Sequence, residues 1–163
     1  MITIRAAEGT DFNFFLEIKS NPDNMYWTGH SFVPDKDKLL NFFAQSIAPH
    51  EVTEKRTIFM ICNEKDTVGY IYFDPIDRKR AEISISVLDR FSGHGYGKEA
   101  VSEICRVMKE RGWKMVFALI REDNKKSQNL FSHCGFMPTG KTIKRQIDIP
   151  PYEIVMQEYC NYL

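Results

Sequence analysis

The stretch from residue 81 to 111, AEISISVLDRFSGHGYGKEAVSEICRVMKER, constrains the fold more than any other part of the chain. Residues 81–88 alternate as a strand does, Gly93, Gly95 and Gly97 fall within five positions, and helical periodicity follows at once. Ala100, Val101, Ile104, Cys105 and Met108 form one apolar stripe over residues 98–111, and Gly112 is placed to end that helix. Next comes WKMVFALI (113–120), a nearly continuous apolar run of the kind found in strands covered on both faces. Strand, glycine turn, helix and buried strand in this order call for a sheet with helices packed on it.

The flanking segments extend that sheet. ITIRA (2–6) reads as a first strand, and Thr10 can cap a helix with Phe12, Phe15, Leu16 and Lys19 at helical spacing, ending before SNPDN. A second helix starts near Asp35 and presents Leu39, Leu40, Phe42, Phe43 and Ile47. TIFMIC (57–62) and TVGYIYFD (67–74) are strands, with NEKD and PIDRKR as turn-forming links to the strand at 81–88. Asp123 or Asn124 can cap a short helix that Gly135 ends, and YEIVMQEY (152–159) supplies the last strand. The 163 residues, 43% of them hydrophobic, suit one domain spanning 1–163. The order is β-α-α-β-β-β-α-β-α-β-β, an α/β fold with a mixed sheet of about seven strands flanked by about four helices.

Bulk properties remove several classes of function. Lys plus Arg equals Asp plus Glu, 22 against 22, so no global field draws the chain to nucleic acid or a membrane. No apolar run approaches the ~20 residues that span a bilayer, and MITIRAAEGTDF lacks the layout of a secretory signal. Cys62, Cys105, Cys134 and Cys160 lie far apart with no CxxC pair, so they read as reduced thiols of a cytoplasmic protein with no metal site.

A strand, a glycine-rich turn and a helix start together make an anion site. First-turn amides point outward, the helix dipole is positive there, and missing side chains let a phosphate approach. Glycines that merely permit positive φ are the plainer alternative, and three at alternating positions flanked by Lys98 exceed what it needs. A Walker loop fails on spacing and on Glu99 where a hydroxyl belongs, and a dinucleotide fingerprint needs its last glycine one position after Gly97.

SGHGYGKEA (92–100) resembles the pyrophosphate-binding segment of GNAT-type N-acetyltransferases, [QR]xxGx[GA], with Ser92 in the first slot and Gly95 and Gly97 in the glycine slots. AEISISVLD looks like that superfamily's fourth strand, and NKKSQNLFSHCGF (124–136) resembles its NxxSxxLYxxxGF signature. NPDNMYW followed by an amphipathic helix is similar to the branch holding ribosomal-protein, diamine and nucleotide-amino-sugar acetyltransferases. The chain departs from the pattern at Ser92, where Arg90 is available to compensate, and at Phe131, which replaces a tyrosine that often acts as general acid.

The resemblance implies a GNAT acyl-CoA N-acyltransferase fold, mainly antiparallel, that uses acetyl-CoA and no metal. It implies that loop amides from Ser92 through Gly93, His94, Gly95, Tyr96 and Gly97 to Lys98 hold the pyrophosphate. The strand edge at Ile85 and Val87 would pair with the pantetheine, and an amide near Val87 or Leu88 would polarise the thioester carbonyl. Asn124 and Ser127 would hold the far side of the pantetheine arm. Glu82 is the candidate base for a primary amine, with an exposed residue paired to Arg78 or Arg80 as the plainer reading. Ser127 or water would return a proton to the thiolate. Tyr26, Trp27 and His30 lie in a segment, NMYWTGHSF (24–32), read as a loop that contacts the acceptor. The acceptor would be an amine of a small molecule, an amino sugar or a protein N-terminus; many relatives are homodimers. A non-catalytic acyl-CoA-binding or regulatory domain on the same scaffold is the alternative.

Overall fold

The computed structural model describes residues 1–47 and 55–163. Among these residues one sheet holds seven strands: β1 (Thr3–Ala6), β2 (Thr57–Cys62), β3 (Thr67–Pro75), β4 (Arg80–Val87), β5 (Met115–Arg121), β6 (Met137–Gln146) and β7 (Glu153–Tyr162). Their spatial order is β1-β2-β3-β4-β5-β7-β6, and every neighbouring pair is antiparallel except β4–β5. Side chains build the two hairpin turns of the first half. Asn63 Oδ1 accepts from the Lys65 and Asp66 amides at 2.8 and 2.7 Å, and Asp77 Oδ1 accepts from those of Lys79 and Arg80, both at 2.8 Å.

Helix α4 (Tyr96–Glu110) carries the chain from β4 to β5, the crossover that a parallel pair requires. Its stripe of Ala100, Val101 and Ile104 is buried on one face of the sheet against Ile71, Phe73, Ile83 and Val116. On the other face α1 (Phe12–Ser20) and α3 (Lys36–Ile47) bury Phe15, Ile18 and Phe43 against Ile58, Met60 and Tyr70. Helix α5 (Lys125–His133) joins α4, with Phe131 in the same core as Ala100 and Ile104.

Two local expectations are corrected. Residues Pro22–Thr28 form a helix, α2, where a loop is read from the sequence, so the α-helices among the described residues number five. The cause is local: Asn21 Oδ1 accepts from the amides of Asp23 and Asn24, Pro22 fits the first helical position, and Gly29 at φ 80° ends the helix. The strand after α4 starts at Met115, two residues after Trp113, whose ring turns inward to meet Phe73 edge-on at 5.1 Å.

One irregularity positions the site. β4 and β5 pair only through Arg80–Met115, Ala81–Val116 and Glu82–Phe117, while β4 stays paired with β3 as far as Val87. Beyond Glu82 the two parallel strands part, and the far half of β4 presents an open edge in the middle of the sheet.

Candidate functional site

The ladder decides which backbone groups face that gap. Leu88 donates its amide to the Val68 carbonyl at 2.9 Å, which fixes the alternation of the β3–β4 ladder. Ser84 and Ser86 then direct their amides and carbonyls at β3, and Ile85 and Val87 turn theirs into the gap. Of the two amides singled out for a carbonyl oxygen, Leu88's is therefore spent on the sheet, and Val87's faces the opening.

A cavity of about 600 Å³ occupies the gap. Ile85, Ser86 and Val87 form one wall, and Asn124, Ser127 and Leu130 of the α5 region form the other. Ser92, Gly93, Gly95, Tyr96, Gly97 and Lys98 line one end, and Asn24 and Trp27 of α2 reach it from the opposite face of the sheet. Eleven residues read from the sequence as cofactor contacts thus meet on one cavity, Leu88 among them.

The glycines do different jobs. Gly93 and Gly95 adopt φ 82° and 80°, and a β-carbon on either would meet nothing within 4 Å, so the backbone there borders open space. Gly95 is the N-cap of α4, whose first-turn amides have no partner within the helix. A β-carbon on Gly97 would instead lie 2.6 Å from Leu130 Cδ1, so its bareness lets α5 approach α4. His94 is exposed and lies off the cavity, its ring stacked on Tyr96 at 5.5 Å and its Nδ1 3.1 Å from the Ser92 carbonyl. Arg90 is paired with Glu17. Lys126, which the sequence reading passes over because it lies 34 residues from the loop, lines the cavity and donates to Ser92 Oγ.

On α5, Asn124 Oδ1 caps the helix by accepting the Ser127 amide at 3.0 Å. The Ser127 hydroxyl makes no hydrogen bond among the described residues. Phe131 is 2% exposed and packs edge-on to Phe136 at 5.0 Å, off the cavity. Burial pushes the Cys134 thiol up, which leaves it a poor nucleophile.

The α2 side is held by polar contacts. Asn24 Nδ2 donates to Ser86 Oγ at 2.9 Å, and Asn24 Oδ1 is buried with no partner among the described residues. Arg121, 4% exposed, donates to the Tyr26 carbonyl at 3.0 Å and packs under the rings of Tyr26 and Trp27, each 5.1 Å away, while Asp123 neutralises it. Of the three expected acceptor contacts only Trp27 lines the cavity. Tyr26 rides on Arg121 with its ring at the surface, and His30 lies 3.6 Å from Asp148 on the exterior.

Glu82 also lies off the cavity wall. It shares the face of β4 that carries Ser84 and Ser86, directly opposite Asp74 on β3, about 13 Å along the strand from Ser86. Burial pushes its carboxyl above the ordinary carboxylate range, and Asp74 adds to the rise. Arg80 bonds Asp77 instead of Glu82. Among the described residues no group of three or more His, Cys, Asp or Glu could hold a metal ion, and no helix is long and apolar enough to cross a membrane.

Comparison with known proteins bears on the fold. A spermidine N-acetyltransferase from Vibrio cholerae, solved in complex with CoA and spermine, superposes with TM-score 0.84 at 17% identity over 99% of this chain and 95% of its own. A ribosomal-protein-alanine N-acetyltransferase from Brucella melitensis gives 0.80 at 20% identity over 99% of each chain. A microcin C7 self-immunity acetyltransferase in complex with acetyl-CoA and AMP gives 0.82 at 19% identity over 99% of this chain and 92% of its own. At such identities the likeness is one of fold. No curated protein matches the sequence significantly. The family model described as acetyltransferase (GNAT) domain matches residues 2–137, most of the chain. The chain therefore belongs to the GNAT acetyltransferase family.

Proposed function

We propose that this protein is an N-acetyltransferase that moves the acetyl group of acetyl-CoA directly to a primary amine. The acceptor belongs to a small molecule, an amino sugar or a protein N-terminus. The observation that carries the reading is the open edge of β4 beside a glycine-lined helix start. Backbone at Ile85 and Val87 is free for an extended pantetheine, and open space at Gly93 and Gly95 is free for a diphosphate.

Acetyl-CoA brings the acyl group as a thioester, and the residues of the chain do the rest. The Val87 amide donates to the thioester oxygen, where negative charge grows as the amine adds. An alkyl ammonium with a pKa near ~10.4 is neutral to only about one part in a thousand at pH 7, a handicap of roughly 4 kcal/mol. Glu82, its affinity for protons raised, takes that proton; its distance from Ser86 makes the transfer a relay through water along Ser84 and Ser86. Ser127 donates its unshared hydroxyl proton toward the departing sulfur and recovers one from solvent. Trp27 and Asn24 wall the acceptor side.

Thiol release from acetyl-CoA with a panel of amines tests this directly. Turnover with primary amines and none with tertiary amines is the expected result. Tight coenzyme binding without turnover on any amine would instead assign the chain a binding or regulatory role. Gly95→Asp adds the second arm: its φ suits Asp and Asn as well as any side chain, so the fold is retained while a carboxylate enters the phosphate space. Gly95→Asn is the uncharged control, and equal acetyl-CoA binding by Gly95→Asp and the wild type would overturn the placement of the diphosphate.

A further inference from the structure

We propose that Lys126 is the mobile cation of the anion site, moving from Ser92 to the diphosphate when the coenzyme binds and so tying α5 to the glycine segment. The proposal rests on the acetyl-CoA reading above. Lys126 Nζ donates to Ser92 Oγ across a sequence separation of 34 residues, and both residues line the cavity. Among the described residues it has no carboxylate partner.

Its neighbours differ. Arg90 is paired with Glu17, Arg121 with Asp123, and Lys125 donates to the Glu122 carbonyl and to Gln128. A neutral hydroxyl is a weak resting place for an ammonium, and a diphosphate over the open backbone of Gly93 and Gly95 competes for it with two negative charges. Lys98 meets the same opening from α4, so the anion is held from two helices. Lys126 is the residue before Ser127 and two after Asn124. Its capture by the anion therefore fixes the start of α5, where the two side chains facing the pantetheine stand.

Isothermal titration calorimetry of the full chain with coenzyme A, dephospho-coenzyme A and pantetheine tests the assignment. Lys126→Ala should weaken coenzyme A and dephospho-coenzyme A about 10-fold or more at low salt and leave pantetheine within twofold, as for loss of one charge-assisted contact. Lys126→Arg should restore most of the affinity, and Lys125→Ala should stay within twofold of the wild type. Coenzyme A binding by Lys126→Ala within twofold of the wild type overturns the proposal, as does a loss that disappears with dephospho-coenzyme A, which would put the contact on the ribose phosphate. A wild type that binds no coenzyme A refutes the acetyl-CoA reading itself, a result distinct from either.

Discussion

Gly69 on β3 lies so close to Ser86 on β4 that a β-carbon at position 69 would sit 2.3 Å from the Ser86 carbonyl oxygen. The obstructing atom is backbone in a central strand, so no side-chain rotation relieves it. Gly69→Ala is expected to cost about 3 kcal/mol, at the upper end for overpacking, and to weaken coenzyme binding, since Gly69 pairs with Val87. Urea unfolding and coenzyme titration check both. A variant within 1 kcal/mol of the wild type would show that the register carrying the Val87 amide is set elsewhere.

That contact also marks where reading the sequence reaches its end. The alternation of residues 81–88 and the bare backbone at 93, 95 and 97 are local signals, and they locate the strand, the turn and the helix start. α2 has local signals too, Asn21-Pro22 at its start and Gly29 at its end, but seven residues crowded with aromatics read more readily as a loop. What depends on pairing is invisible in one dimension. The departure of β4 from β5 after Glu82, the commitment of the Leu88 amide to Val68, and the meeting of Lys126 with Ser92 arise from partners 20 to 35 residues away. The different duties of Gly95 and Gly97 are equally hidden, because only the arrival of Leu130 separates them.

The raised proton affinity of Glu82 gives a stability signature independent of catalysis. Burial raises its pKa in the folded chain and Asp74 adds to the rise. A carboxyl raised in this way favours the folded state fully below its unfolded pKa, and that contribution is lost as pH rises through the folded value. Glu82→Gln should therefore match the wild type in acid and become progressively more stable than it as pH rises, with a constant gap above the folded pKa. Thermal melts from pH 4 to pH 8 measure the gap, and a gap that stays flat removes the shift. In the thiol-release assay the same substitution should depress the rate, most at low pH where the fewest acceptor amines are neutral, with coenzyme affinity unchanged.

Gly97→Ala separates packing from anion binding. A helical glycine replaced by alanine gains about 1 kcal/mol of propensity, and contact with the far end of Leu130, a half-buried side chain, costs about as much. The melting temperature should move by only a few degrees. Leu130 lines the cavity, so its displacement should weaken coenzyme A and pantetheine alike. A loss confined to coenzyme A would place Gly97 among the phosphate contacts beside Gly93 and Gly95.

Phe131→Tyr asks whether the departure from the family's tyrosine matters. The ring is 2% exposed, packs on Phe136 and belongs to the core that α4 and α5 share, so a hydroxyl added there enters apolar surroundings and leaves the cavity as it is. A buried hydroxyl without a partner costs about 1–3 kcal/mol. The variant should melt several degrees lower and show no gain in the rate of thiol release. Ser127→Ala, which removes the hydroxyl that does line the cavity, should slow release while leaving the melt nearly unchanged. A faster Phe131→Tyr enzyme, or a Ser127→Ala enzyme of full activity, would move the proton donor off Ser127.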